Sequence, residues 1–468
     1  MDQTPPDLRD SRSPHPIAAA VARAIGARPE ELRLLLPAVL CAFTLFGGYA
    51  ISKPLRDAVA AGLGKENVAW LQTGTFAGML VATAITGWLV SRLGWRRFVV
   101  TAHLVWALGA LLFAAWFSFD VKAESRPLDA TFFISVSVFN LLSLSIFWST
   151  LTDIFSSDRA RALFPPVAVG LTAGMIGGSS LVRAFAKDLA PGTFLFVSAG
   201  LLSISAICAA YLVRFTPARA TRRTPGGSLS DAIEGIRLAF RSPYLSLLAL
   251  YILLYALTST LVWMQQVGIL NAAFSHLEKP EARAASAEVT ASIDLYTNLF
   301  TVGLQLFVGG RIIRRIGMPA ALVLTPLTTL GALAALVLQP SVGLLVVVQV
   351  LRRGLHFAID RPAREVLYTV VSPPERYKSK SFVDTFSYRF GDVVGGWTEI
   401  LASKLLTGTA ALLGAYALLC AIAGAVGVQL GRTLEKREAR PSDSGDAATD
   451  GADDQRGASS SASSASAP

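Results

Sequence analysis

Between Leu34 and Ser52 the chain runs for 19 residues without a charge. Apolar stretches of this kind recur along it, each roughly 20 residues long, the length an α-helix needs to cross a hydrocarbon core of about 30 Å. No other feature narrows the fold so far. A segment facing lipid must satisfy its own backbone hydrogen bonds, which leaves helices or closed barrels. A barrel would show alternating segments of about 10 residues, and none is seen. Composition agrees: of 468 residues, 53% are hydrophobic and 16% charged, against about 25% charged in soluble proteins. One or two soluble cores could not hide that much apolar surface. The chain reads as an all-α integral membrane protein.

Twelve spans are predicted, at about 34–60, 68–91, 98–118, 131–155, 163–186, 193–214, 244–268, 289–313, 318–338, 342–370, 381–404 and 409–431. They divide the chain into an N-terminal segment (1–33), a six-helix half (34–214), a polar linker (215–243), a second six-helix half (244–431) and a Ser/Ala-rich tail (432–468) too polar to fold. An even count puts both termini on one side. Alternate loops hold Arg92, Arg96 and Arg97; Arg159 and Arg161; Arg214, Arg219, Arg222 and Arg223; Arg311, Arg314 and Arg315; and Arg376, Lys378 and Lys380. The intervening loops hold far fewer cations, so the arginine-rich side, with both termini, is expected to be cytoplasmic. The net charge of +10 then reflects topology, and no nucleic-acid partner is expected.

The first 30 residues are polar and no cleavable leader is expected. Cys41, Cys208 and Cys420 all fall inside apolar runs and read as small packing residues. His15, His103, His276 and His356 show no ligand spacing, so neither a metal nor another cofactor is expected. With no P-loop and no Ser/His/Asp constellation, the chain offers no catalytic residues and does not read as an enzyme.

An internal repeat links the two halves. GWLVSRLGWRRF begins at Gly87 and GRIIRRIGMPAA at Gly310, so that Gly87/Gly310, Arg92/Arg315 and Gly94/Gly317 match at a constant offset of 223. Two parallel six-span halves are the architecture of major facilitator transporters. The loop resembles that superfamily's signature between spans two and three, with Ser91 and Arg314 where an acidic residue is usual. Arg92, Arg96, Arg97, Arg314 and Arg315 are the expected cytoplasmic gate.

Ionisable groups at the bilayer centre cost roughly 2.5–3.5 kcal/mol each, so they face a cavity, pair, or sit near the interface. SKPLRDAV (52–59) and DRPAREVL (360–367) each close an apolar run with the pattern basic, Pro, x, Arg, acidic. Lys53 and Asp57, Asp360 and Arg364, and Arg361 and Glu365 each stand four apart, on shared helix faces. Pro54 and Pro362 remove backbone donors and free carbonyls that need other partners. Lys53, Arg56, Arg361 and Arg364 are the candidates for holding anionic groups of a solute; Asp153 and Asp294 are the candidate counter-charges or proton carriers. Two bland alternatives stand beside this: Lys53–Asp57 as the outer end of the first span, and Asp153 as an interfacial residue. The within-span list, with Arg352, Arg353, Arg389, Asp384, Asp392 and Glu399 added, comes to seven cations against eight acids.

GYAISKPLRDAV, WLQTGTFAGMLVATAITGWLVSRLGWRRF, SVFNLLSLSIFWSTLTDIFSSDRARALF and RPAREVLYTVVSPPERYKSKSFVDTFSYRFGDVVGGW together resemble the bacterial branch of the nucleotide (ATP/ADP) exchange transporters. The resemblance covers most of 34–431 and implies a multi-pass protein of a bacterial inner membrane. It further implies a secondary transporter exchanging an anionic metabolite or nucleotide, with a small-molecule solute as partner; the sequence does not give the oligomeric state, and a monomer is the expectation. It places the family's first-span lysine at Arg56 and a span-four acid at Asp153. A span-seven carboxylate falls at Trp263 and a span-eleven lysine at Asp392; both departures weaken the nucleotide assignment. The alternatives are a solute–proton transporter of the same superfamily with a non-nucleotide substrate, and a non-transporting sensor on the same fold.

Overall fold

A computed structural model of the chain describes residues 31–119, 125–155, 157–216, 237, 241–307, 309–371 and 383–438. Most of the predicted N-terminal segment, of the linker and of the tail, and Arg376, Lys378 and Lys380, lie outside these residues, as do the side chains of Arg314 and Asp384; residues 432–438 of the predicted tail continue α12.

The described residues are helical throughout. In chain order they form α1 (Leu32–Leu63), α2 (Lys65–Leu93), α3 (Trp95–Phe119), α4 (Arg126–Ile154), α5 (Ser157–Phe185), α6 (Pro191–Leu212), α7 (Pro243–Ala273), α8 (Lys279–Phe307), α9 (Gly309–Leu338), α10 (Val342–Leu367), α11 (Val383–Ser387 followed by Tyr388–Leu405) and α12 (Thr409–Glu438). Among the described residues, ten helices are long and apolar enough to cross a membrane. The two predicted spans outside that ten, α8 and α11, are those that bring Asp294, Arg389, Asp392 and Glu399 into the bundle.

Local chemistry sets the starts. Proline occupies the first turn of α4, α6 and α7, where its missing N–H costs nothing. The Ser242 and Ser341 side chains accept from Leu245 N and Leu344 N at the starts of α7 and α10. At the two ends matched by the repeat, Gly94 has φ 74°, ψ 157° and Gly317 has φ 78°, ψ 167°. That region is essentially glycine-only, so the two copies of the sequence motif make the same backbone turn. Close packing repeats as well. A Cβ on Gly174 of α5 would lie 2.2 Å from Phe43 O of α1, and one on Gly395 of α11 would lie 2.6 Å from Leu257 O of α7. Each set of six helices thus contains one pair whose backbones touch along small residues.

Helix α10 changes register. After Val342–Leu355 the turn His356–Asp360 is π-helical, and Arg361–Leu367 resumes the α pattern. In π geometry the N–H of residue i bonds the carbonyl of i−5, as Arg361 N does to His356 O. The next such donor would be residue 362, a proline, so Phe357 O has no backbone donor. Gln305 Nε2 donates to it instead, at 3.5 Å. Pro54, by contrast, sits inside one continuous helix.

Candidate functional site

The opening charge cluster of α1 lies well inside its helix. α1 continues for about 15 Å past Lys53, at 1.5 Å per residue, so Lys53–Asp57 is not a helix end. Lys53 Nζ donates to Asp57 Oδ2 at 3.2 Å, one turn on, and to Asp294 of α8 at 2.7 Å. Arg353 of α10 reaches the same Asp294 at 2.7 Å. Arg56 closes the cluster: its Nε donates to Asp57 Oδ1 at 2.9 Å, its Nη1 donates to Ser137 Oγ of α4 at 3.1 Å, and it lies over the Phe133 ring. Asp57 and Asp294 are 3% and 1% exposed. Three cations and two carboxylates therefore share one buried site, and the Lys53–Asp294 pair ties the first six helices to the last six. Burial of these charges is tolerated because each carboxylate accepts from two cations.

A second polar group lines α7, α10 and α11. Asp360 accepts from Tyr251 Oη at 2.6 Å, and its Oδ2 lies 2.9 Å from His356 Nδ1, off hydrogen-bond alignment. His356 stacks on Tyr255 with centroids 4.3 Å apart, and Arg364 lies over the same Tyr255 ring at 5.4 Å. Arg352 donates to Ser259 Oγ and Gln349 Oε1, both at 3.1 Å, and Gln349 Nε2 donates to Gln266 Oε1 at 2.7 Å. Asp392 accepts from Thr260 Oγ1 and Arg389 Nη1, both at 2.9 Å.

A third set joins the first six helices to the last six near Lys65. Lys65 Nζ donates to Glu399 Oε1 at 2.8 Å; Gln265 Nε2 donates to the same oxygen at 2.8 Å, and Tyr416 Oη donates to Oε2. Asn271 Nδ2 donates to Ala61 O at 2.8 Å, Arg283 pairs with Asp129, and Trp397 Nε1 donates to Thr73 Oγ1 at 3.1 Å. Trp70 meets Trp397 edge-on at 4.8 Å, and Phe76 meets Phe386 at 5.3 Å. On α2 these contacts run from Lys65 to Phe76, about 16 Å, and Arg92 lies about 24 Å further along the same helix.

The structure brings together Lys53, Arg56 and Asp294 among the predicted site residues, and sets Arg364 in the neighbouring group. Arg361 is exposed on α10. Asp153 is partly exposed in the last turn of α4, about 24 Å along that helix from the Ser137 that Arg56 touches. Of the gate arginines, Arg92, Arg97 and Arg315 are exposed, with Arg92 over the Trp88 ring; Arg96 is exposed too, and its guanidinium donates to Thr216 O, just past α6. Near them, at the start of α5, a hydrogen bond to the Glu31 carboxylate holds the Arg159 guanidinium above its usual range. Arg352, Arg353 and His356 were not among the predicted site residues. The available signal was the polar series Gln349, Arg352/Arg353, His356, Asp360, spaced by three and four along an otherwise apolar helix.

These placements change the charge arithmetic. Arg361 and Glu365 are exposed, Asp153 lies at the end of α4, and Glu399 belongs with Lys65. The grouped charges that remain among the described side chains are Lys53, Arg56, Arg352, Arg353, Arg364 and Arg389 against Asp57, Asp294, Asp360 and Asp392, six cations against four acids.

No family model matches the chain. It is 24% identical over 308 residues to ADP,ATP carrier protein 1 of Chlamydia muridarum, covering 56% of each protein. The chain thus spans about half the length of the curated relatives it matches. Among solved structures, a mutant of the nucleoside transporter NupG superposes with a TM-score of 0.59 at 14% identity, over 86% of this chain and 99% of that one. A D-xylose-proton symporter superposes with a TM-score of 0.57 at 12% identity, over 86% and 96%. At such identities the likeness is one of fold alone. Each of these similar proteins is a carrier or transporter, none an enzyme.

Proposed function

We propose that the chain is a secondary-active membrane transporter that works by alternating access and exchanges an anionic metabolite or nucleotide. The observation that carries this reading is the buried cluster of Lys53, Arg56, Asp57, Asp294 and Arg353, in which one ion pair bridges the two sets of six helices. Buried charges shared between two bodies are what a solute can compete for as the bodies rock. The excess of cations suits an anion, whose desolvation needs compensating charge. The likeness to an ADP,ATP carrier protein of Chlamydia muridarum supports the same class of solute.

In this reading all twelve helices span a bacterial inner membrane, in halves 34–214 and 244–431, and the arginine-rich ends face the cytoplasm. The Lys65 end then faces outward, and its ion pairs and aromatic contacts close the outer mouth, while exposed Arg92, Arg96, Arg97 and Arg315 belong to an opened cytoplasmic gate. A second reading, a solute–proton transporter with a non-nucleotide substrate, is favoured by Trp263 and Asp392. Trp263 packs on Phe133 at 6.0 Å and Asp392 is engaged by Thr260 and Arg389, so neither presents the group that the nucleotide exchangers carry there.

Uptake of labelled ATP, ADP and phosphate into proteoliposomes, preloaded with nucleotide or empty, tests the proposal. Uptake that needs internal nucleotide and fails in Arg56→Ala supports exchange. Inserted, folded protein that takes up none of the three sinks the nucleotide assignment and favours the second reading.

A further inference from the structure

Arg352 is 4% exposed and fixed from both ends of its guanidinium, yet among the described residues it meets no carboxylate. Its hydrogen-bond partners are the neutral Ser259 and Gln349, and its Nε has no acceptor. Four of the other grouped cations each hold a carboxylate: Lys53 and Arg353 share Asp294, Arg56 holds Asp57, and Arg389 holds Asp392. Gln349, Gln266 and Ser259 form a neutral hydrogen-bonded frame, in which Gln266 and Gln349 are 3% and 1% exposed. Removing a guanidinium from water without an opposite charge costs several kcal/mol, and Ser259 and Gln349 return only two of the bonds it makes in water. An apolar residue at 352 would avoid that cost, so the charge does not serve the stability of the fold.

Its position bears on what the charge serves. Tyr255, Ser259, Trp263 and Gln266 share one face of α7 by their spacing of four, four and three. On that face Trp263 meets Phe133 of α4, across the boundary between the two sets of helices. Ser259, one turn away and only partly buried, therefore lies beside the boundary, and Arg352 donates to it. A guanidinium keeps five donors in a planar fork that matches the paired oxygens of phosphate or carboxylate.

We propose that Arg352, framed by Gln349, Gln266 and Ser259, is an anion subsite that takes one oxyanion group of the transported solute, separate from the Lys53–Asp294 cluster. The subsite rests on the reading of the chain as an anion carrier. It offers a phosphate or carboxylate a guanidinium that no carboxylate among the described residues already neutralises.

Equilibrium binding of inorganic phosphate, ADP and succinate to the full-length chain in detergent micelles tests it, in wild type, Arg352→Gln and Gln349→Glu. The glutamate would set a carboxylate against the guanidinium and fill the subsite from within. At least one probe is expected to bind wild type, and both variants to weaken it roughly tenfold or more, the scale of a lost charge-assisted hydrogen bond. Gln349→Glu should at the same time raise the melting temperature, because the buried charge gains a partner and the Gln266 amide can flip to donate to the new carboxylate. A purely structural role would give that rise with no loss of affinity. Binding of phosphate and ADP but not succinate identifies a phosphate subsite, and succinate alone a carboxylate one. Affinities within twofold of wild type in both variants overturn the Arg352 assignment and leave the carrier reading standing. Absence of binding by wild type to all three probes overturns the anion-carrier reading and the subsite with it. If Arg352→Gln does not fold, Gln349→Glu alone decides between these outcomes.

Discussion

Substitution of Glu399 by glutamine should open the Lys65 end of the molecule. Glu399 is 2% exposed at its side chain and Lys65 31%, with 2.8 Å between their charged atoms. Gln265 donates to the same oxygen as Lys65, so the amide oxygen of the new residue can keep both bonds; the Tyr416 hydroxyl can turn and accept from the new amide. The change therefore removes charge and little else. A hydrogen bond to a charged group contributes about 1.5–3 kcal/mol, and the partial exposure of Lys65 reduces this to about 1–2 kcal/mol. If the contact exists only when this end is closed, the open state gains a factor of about 5–30 in population. Ala61, 1% exposed and bonded through its carbonyl to Asn271, is a position to read it. Cys41, Cys208 and Cys420 are free and buried, so Ala61→Cys adds one reactive thiol to a quiet background. Labelling of that thiol by a membrane-impermeant reagent should quicken about 5- to 30-fold when Glu399→Gln is added. An unchanged rate, in protein with an unchanged melting profile, would refute the claim that this pair holds the end shut.

Asp294→Asn should abolish exchange and lower stability by about 3–5 kcal/mol, because Arg353 and Lys53 lose the carboxylate they share; adding Arg353→Gln should recover much of the melting temperature and none of the transport. Gly174→Ala pushes a methyl against Phe43 O and should cost about 1–3 kcal/mol, whereas a Cβ on Gly200 meets nothing within 4 Å and Gly200→Ala should melt like wild type. A reporter enzyme active only outside the cytoplasm should work when inserted within 120–124 and stay silent when fused after 438; the reverse pattern would invert the proposed orientation.

Much of the architecture could be read directly from the sequence, because the bilayer imposes length and apolarity on each span. The repeat was legible for a related reason: only glycine adopts the backbone of Gly94 and Gly317, so the turn left its mark at both positions. The site was legible in part. Lys53 and Asp57 could be paired from spacing alone, but Asp294 comes from 241 residues away, and nothing local announces that meeting. Spacing alone did not show that Tyr251 of α7 would donate to Asp360, a contact that comes from 109 residues away. A list of charges could not distinguish an exposed Glu365 from a buried Asp294, and near balance on paper became an excess of cations among the described side chains only once Arg361, Glu365, Asp153 and Glu399 were placed apart from the group, with Asp384 outside the described side chains.

The turn at His356–Asp360 also makes α10 sensitive to counting as well as to chemistry. Five residues there do the work that an α-helix gives to about four. Losing any one of them would let the ordinary ladder close and swing everything downstream through about 100°, one residue's share of a 3.6-residue turn. Arg364 would then leave Tyr255 without a single functional side chain having been altered. A deletion in this stretch is for that reason more disruptive than most replacements within it. Two related chains that differ here by one residue could carry the same letters after it and still present different groups to whatever passes between the helices.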